Sequence, residues 1–198
     1  MSISTTIKTI QDIMRQDAGV DGDAQRISQL TWLLFLKIFD DREQEYELDS
    51  GYISPIPTDL RWRNWAADEE GLTGDGLLDF VENKLFATLK DPDKMLAHGN
   101  GRARVVYEVF ADSYNYMKSG TLLRQVVNRL NQIDFTSSTD RHLFNDLYEK
   151  ILRDLQSAGN AGEYYTPRAV TQFMVDMTDP QLGQIVLDPA CGAPRGAV

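Results

Sequence analysis

Ile3, Ile7, Ile10 and Met14 recur every three or four residues from the start of the chain, a spacing that lays one apolar stripe along a helix. After the turn-rich stretch DAGVDGD, a second helix is predicted from near Asp23 to about Leu48. Its first half, RISQLTWLLFLKIFD, is apolar on nearly every side and belongs at the centre of a bundle. Its second half, DREQEYEL, is charged and is expected to project into solvent. Pro55 and Pro57 keep residues 49–60 from forming a regular helix. The following RWRNWAADEEGLTGDG reads as a loop anchored by Trp62 and Trp65. Helical spacing returns at Leu77, Val81, Leu85 and Leu89 and is broken by KDPDKMLAHGNG. Val105, Val109 and Tyr116 predict a further helix, and Leu122, Leu123, Val126, Val127 and Leu130 another. A long helix is predicted from about Asp140 through Leu143, Leu147, Ile151 and Leu155, with Thr139 as its N-cap. Nothing to this point demands a strand, and no internal repeat stands out.

SAGNAG, from Ser157 to Gly162, is small and flexible and makes the best boundary. The chain therefore divides into a helical domain over 1–156, a linker over 157–162 and a second segment over 163–198. In that segment TPRAVTQFMVDMTD reads as a helix with Thr166 as N-cap and Pro167 at the first helical position. Val170, Phe173, Met174 and Met177 are expected to supply its buried face, and QIVLDP reads as one short buried strand. The expected class is mainly α: a helical bundle followed by the start, one helix and one strand, of an α/β domain.

Composition narrows the functional classes. The 198 residues hold 20 basic and 30 acidic side chains, a net charge of −10. The chain is acidic on both sides of the boundary, so it lacks the basic stripe with which a protein grips DNA unaided. Any DNA contact must come from a local patch or from a more basic partner. Cys191 is the single cysteine, which excludes an intrachain disulfide and a Cys-based zinc cluster. MSISTTIKTI lacks the marks of a signal peptide. The longest apolar run, WLLFLKIF, is far below the ~20 residues needed to span a bilayer. A cytoplasmic protein with no membrane partner is expected. His98 and His142 read as surface or capping residues, no metal site is predicted, and Asp40-Asp41 and Glu69-Glu70 read as solvated faces. Arg61 and Arg63 flank Trp62, either as a basic-aromatic contact to nucleic acid or, more simply, as solvated arginines beside an anchor.

Chemistry concentrates near the end. In VLDPACG, Asp188 lies where a strand becomes a turn and Gly192 lets the backbone bend sharply; ligands of open α/β sheets bind beyond such strand ends. Alone, this turn is as readily an ordinary αβ connection as a nucleotide cradle. Taken with Glu163-Tyr164-Tyr165-Thr166-Pro167-Arg168 upstream, the Asp188-Pro189-Ala190-Cys191-Gly192 stretch resembles the N6-adenine DNA methyltransferases, specifically the modification subunit of type I restriction-modification enzymes. LTWLLFLKIFDD, RWRNWA and LYEKILRDLQSAGNAGEYYTPR extend the resemblance to the helical N-terminal domain of those subunits.

The resemblance implies a Rossmann-like methyltransferase domain and S-adenosylmethionine as cofactor. Tyr164, Tyr165, Thr166, Pro167 and Arg168 would line its methionine side together with Glu163, Thr166 supplying a hydroxyl. Asp188 would sit near the methionine ammonium and Gly192 would permit close backbone approach. The implied partners are a specificity subunit, a restriction subunit and, within their complex, DNA. The sequence departs from the family after Gly192: Pro194 stands at the second glycine of the motif, removing an N–H and adding a ring. The Asn-Pro-Pro-Phe/Tyr motif that holds a flipped adenine does not occur. The expectation is a truncated methyltransferase domain, no catalytic residue and no methyl transfer by this chain alone. The alternative is a non-enzymatic helical assembly module. Phe173, Met174, Ile185 and Val186 offer an apolar face for self-association.

Overall fold

The computed structural model describes residues 3–49, 51–97, 100–133, 135, 168–181, 184, 185 and 187. The chain separates into two compact units, Met1–Ala161 and Gly162–Val198. The described residues are mainly α-helical, as the apolar spacing predicts.

In the first unit, α1 (Ile3–Met14) buries Ile7, Ile10, Ile13 and Met14. Past its end the Asp17 carboxylate accepts hydrogen bonds from the N–H groups of Gly19, Lys118 and Ser119 at 2.8–2.9 Å. One side chain thereby ties the exit of α1 to a segment a hundred residues on. The backbones meet closely there: a Cβ on Gly19 would lie 2.1 Å from the Tyr116 carbonyl oxygen. Helix α2 (Asp23–Tyr46) runs through the core with Trp32, Leu33 and Leu36 buried. Trp32 meets Phe86 and Phe110 edge-on at 5.1 and 6.3 Å, and those two phenyl rings lie 5.3 Å apart.

The charged half of α2 departs from expectation. Asp40, Asp41 and Glu43 are buried rather than solvated. Lys37 reaches Asp41 at 2.6 Å one turn on, Arg63 donates to Asp40 at 2.9 Å, and the Tyr52 hydroxyl donates to Glu43 at 2.6 Å. A carboxylate enters a protein interior only with such partners, and two of these arrive from the loop that follows.

That loop holds a 3-10 turn (Thr58–Leu60) and a one-turn helix, α3 (Trp62–Trp65), where the sequence predicts an irregular anchor. Both indoles are buried and their N–H groups are satisfied, Trp62 by Asn131 at 2.8 Å and Trp65 by the Leu60 carbonyl at 3.1 Å. Next, α4 (Gly74–Asp79), a π-helical stretch (Phe80–Phe86) and α5 (Ala87–Leu89) form one continuous rod. Leu77, Val81, Leu85 and Leu89 are all buried on it. A stripe of period four drifts about 40° per repeat around a 3.6-residue helix; the wider π turn takes up that drift and keeps all four side chains on one face.

Helix α6 (Pro92–Met95) is a single turn whose Asp91 cap accepts the N–H groups of Asp93 and Lys94. Helix α7 (Gly101–Ala111), capped by Asn100, ends before Tyr116, so the predicted helix is shorter than its apolar spacing suggests. Residues 113–119 are instead held by side chains. Gln29 accepts the Tyr116 N–H and donates to Asn115, and Asn115 donates to Glu82 and the Met117 carbonyl. Ser119 then caps α8 (Gly120–Leu130) through the Leu122 N–H.

Arg124 on α8 is buried, and its guanidinium donates to the carbonyls of Trp65, Ala66, Asp68 and Leu72 at 2.7–3.2 Å. Asn131 adds a second donor to Ala66 at 2.7 Å. Burial pulls the guanidinium below its usual pKa, opposed by the charge of Asp68. Where α8 begins, a Cβ on Gly120 would fall 1.8 Å from the Gly74 carbonyl oxygen, so only glycine permits α8 to abut the start of α4. The helix predicted from Asp140 with its Thr139 cap lies outside the described residues, as do the 157–162 linker and both histidines.

Replacing Arg124 strands four carbonyls that now share one donor group. Arg124→Met is expected to lower the unfolding free energy by about 3 kcal/mol or more, seen as a lower urea midpoint at unchanged slope. Arg104→Met, which removes only an exposed pair with Glu108, leaves the midpoint in place.

Candidate functional site

The second unit is built around α9 (Arg168–Thr178). Arg168, the last residue of the predicted cofactor segment, is the first residue of this helix. Glu163, Tyr164, Tyr165, Thr166, Pro167, Asp188 and Gly192 lie outside the described residues, as do Cys191 and Pro194. The first-turn N–H groups of a helix have no intrahelical acceptor and carry the positive end of its dipole. The opening of α9 therefore turns a polar surface toward the residues that precede it.

The helix stops by a recognisable device. Asp179 takes a positive φ of 40° and its N–H closes onto the Val175 carbonyl at 2.8 Å, after which Pro180 cannot continue the helix. The Thr178 hydroxyl donates to the Met174 carbonyl at 2.8 Å. Gln181 and Gln184 then bond to each other in both directions, the Gln184 side chain accepting the Gln181 N–H at 2.9 Å and the Gln184 N–H reaching the Gln181 carbonyl at 3.1 Å. Of the segment expected as a strand, Gln184, Ile185 and Leu187 are described, and they join no strand among the described residues.

The apolar face of α9 corrects the sequence reading in another way. Val170, Phe173, Met174 and Met177 were expected to be buried, yet Phe173 is 61% and Met177 69% exposed. Ile185 is 98% exposed. The spacing of a buried stripe is present, and among the described residues nothing covers it.

In the first unit the basic-aromatic motif resolves into scaffold. Arg63 bonds Asp40 and Glu47 at 2.9 and 2.6 Å, and Arg61 bonds Glu47 at 2.9 Å, while Trp62 is buried between them. Burial depresses the Arg63 pKa, but its hydrogen bonds to Glu47 and Asp40 outweigh it and leave the net shift upward. These cations are spent on α2 and present no phosphate-binding stripe. Among the described residues no group of three or more His, Cys, Asp or Glu is placed to hold a metal ion, and no helix is long and apolar enough to cross a membrane.

One feature of the first unit escaped the sequence reading. A groove of about 430 Å³ opens between α2 and α7, lined by Ile27, Leu34, Phe35, Ile38, Val105 and Val109 among others, with Glu43, Tyr46 and Arg102 at one end. Its only sequence signal is that the apolar spacing of α2 continues past the residues its neighbours cover.

Comparison with known proteins places these features in context. Residues 3–130 match the family model of the HsdM N-terminal domain, and residues 139–195 that of the N-6 DNA Methylase. The methylase subunit of the type I restriction enzyme EcoEI, from Escherichia coli, is 64% identical over 97% of this chain and 39% of its own length. The EcoKI methylase subunit of Escherichia coli strain K12 is 26% identical over 89% of this chain and 30% of its own length. The chain thus spans about two fifths or less of these relatives. The crystal structure of a modification subunit from Vibrio vulnificus YJ016 superposes with a TM-score of 0.83 at 42% identity, covering 96% of this chain and 42% of that one. A chain from a structural study of assembly and conformational transition in the type I R-M system superposes with a TM-score of 0.76 at 34% identity, covering 96% of this chain and 38% of that one.

The bare face of α9 has a measurable consequence. Phe173→Ser combined with Met177→Ser is expected to reduce the fluorescence of the apolar dye ANS bound to the chain. The urea midpoint of the helical body should stay unchanged, since neither side chain belongs to its core.

Proposed function

On the premise that the chain belongs to the methylase subunits of type I restriction enzymes, we propose that it serves a DNA methyltransferase acting on adenine N6, contributing the N-terminal helical domain and the first cofactor segment. The observation that carries this is the succession of two matched domains in one chain, HsdM N-terminal domain first and N-6 DNA Methylase after it.

The N-6 DNA methylases use S-adenosylmethionine, which supplies the transferred methyl group when bound. On this reading Glu163, Tyr164, Tyr165, Thr166, Pro167 and Arg168 form the methionine side of its site at the entrance to α9. Asp188 sits near the ammonium group and Gly192 lets the backbone approach. The opening of α9 suits this role, because first-turn N–H groups without intrahelical acceptors and a positive dipole end attract the negative portion of a ligand. The proposed partners are a specificity subunit that reads the DNA sequence, a restriction subunit, and DNA held within their complex. The acidic balance of −10 and the engagement of Arg61 and Arg63 within the fold support that division of labour: phosphate neutralisation falls to another subunit.

The 198 residues hold no Asn-Pro-Pro-Phe/Tyr motif, so nothing in them would position a flipped adenine. Holding two reactants in line accounts for roughly 7–11 kcal/mol of barrier lowering in well-oriented reactions, and this chain alone forgoes it. A second reading, favoured by the closely pinned helical body, is an assembly module that binds the specificity subunit without the cofactor.

The purified 198-residue chain, incubated with tritiated S-adenosylmethionine and unmethylated DNA, is expected to incorporate no label; sequence-specific incorporation would refute the division proposed here. Calorimetric titration with S-adenosylmethionine separates the two readings, since heat of binding supports a working cofactor segment and its absence, with the specificity subunit still bound, supports the assembly module.

A further inference from the structure

Among the described residues, Glu43 is the one buried carboxylate of α2 with a single hydrogen-bonded oxygen and no ion pair. It is 1% exposed. One of its oxygens accepts the Tyr52 hydroxyl at 2.6 Å, and the other, Oε2, is buried without a hydrogen-bond partner among the described residues. Asp40 and Asp41 on the same helix have Arg63 and Lys37; Glu43 has no such ion pair among the described residues. Leaving a charged acceptor buried and unsatisfied costs more than a neutral group would. Tyr52 reflects the same surroundings: burial, then its bond to Glu43 and the charge of that carboxylate, raise the phenol well above its ordinary pKa, with Arg102 opposing.

This carboxylate lies at one end of the groove between α2 and α7. The floor is the stripe Ile27, Thr31, Leu34, Phe35, Ile38 and Phe39, and the wall across from it carries Val105 and Val109. Val105 is 49% exposed although it faces an apolar channel. Arg102 forms no ion pair with Glu43 among the described residues; its guanidinium carbon lies 4.2 Å from the Tyr46 ring centre and 5.0 Å from that of Tyr52. From Ile27 to Tyr46 the lining runs along about five helical turns, roughly 28 Å at 1.5 Å per residue. A small ligand would fill a fraction of that length, whereas a helix laid along it would fill all of it.

We propose that this groove is a docking site for an amphipathic helix of a partner protein, with its apolar stripe on α2 and α7 and a lysine or arginine near the end that carries Glu43, drawn there by the charge of the buried carboxylate. The apolar contacts provide area, and the unmatched carboxylate provides orientation, because a helix carrying an acid at that point meets a buried like charge. The site lies wholly in the helical unit and does not depend on methyl transfer or on cofactor binding.

The probes are synthetic helices of 22 residues, about the length of the groove, with leucines at i, i+3, i+4 and i+7. Two carry a single lysine in the stripe near the N- or the C-terminal end, and matched partners carry glutamate there. Binding to the full 198-residue chain is read by fluorescence anisotropy. One lysine peptide is expected to bind about tenfold or more tightly than its glutamate twin. Glu43→Gln, which retains an acceptor for Tyr52, should collapse that difference, and Val105→Glu should abolish binding of both. If Glu43→Gln fails to unfold cooperatively, the peptide charge series and Val105→Glu still decide the matter. The proposal is overturned if no peptide binds, if lysine and glutamate peptides bind alike, or if binding survives Val105→Glu. It is equally overturned if sedimentation shows the chain pairing with itself through a contact that Val105→Glu breaks, since the occupant is then a second copy.

Discussion

Four backbone carbonyls in one irregular loop converge on a single guanidinium, and the helical unit is organised around that convergence. Residues 66–73 lie between α3 and α4 without a helix or strand to satisfy their peptide groups. Arg124 gathers Trp65, Ala66, Asp68 and Leu72, while Asn131 reaches Ala66 from the same helix. The carbonyls of Trp65 and Ala66, both buried residues, would each cost a substantial part of the marginal stability of a domain if left unpaired. Arginine suits this position because its planar fork offers five donors at fixed angles and remains charged when buried. With the loop fixed, Trp62 and Trp65 are held against α8, and Arg63 is carried to the carboxylates of α2.

The same device recurs at smaller scale. Asp17 satisfies three N–H groups, two of them about a hundred residues on, and Gln29 and Asn115 hold an extended segment against the centre of α2. Each is a polar side chain standing in for secondary structure. Such buried networks hold a fold in one arrangement only when every member is satisfied. Glu43 is therefore informative: in a body where other acids of α2 have found cations, its half-met carboxylate lies on the groove.

How much of this was legible in the sequence follows from where the determining partners lie. Helices α1, α2 and α8 could be read because their apolar stripes are local, and the period-four run Leu77, Val81, Leu85, Leu89 carried a trace of its π turn. The burial of Asp40 and Asp41 could be half read, since Lys37 sits one turn from Asp41, but Arg63 is 23 residues from Asp40 and no local pattern announces it. Tyr116 extended the apolar spacing beyond the end of α7 because its burial comes from contacts with Gln29 and the loop, which periodicity does not separate from a helical face. The exposure of Phe173 and Met177 was illegible for the opposite reason: the stripe was read correctly, but a stripe says only that a face needs cover, not that the cover lies within the same chain.

That distinction also orders the two functional surfaces. An amphipathic helix in an α/β domain is stabilised by the sheet it packs on, and the chain spans only 39% of its EcoEI relative. The bare face of α9 is an apolar stripe that nothing covers among the described residues, with no charged group to select what would cover it. The groove on α2 differs. Its walls belong to a unit that is already pinned at the Arg124, Asp17 and Gln29 junctions, and its lining combines apolar length with a carboxylate lacking one bond. A groove that served only to be filled by core side chains would gain nothing from a buried charge at its end, whereas one that selects among incoming helices gains a criterion. Geometry distinguishes the two surfaces: one is a single bare helix face, and the other is a walled groove ending at a carboxylate that lacks one donor among the described residues.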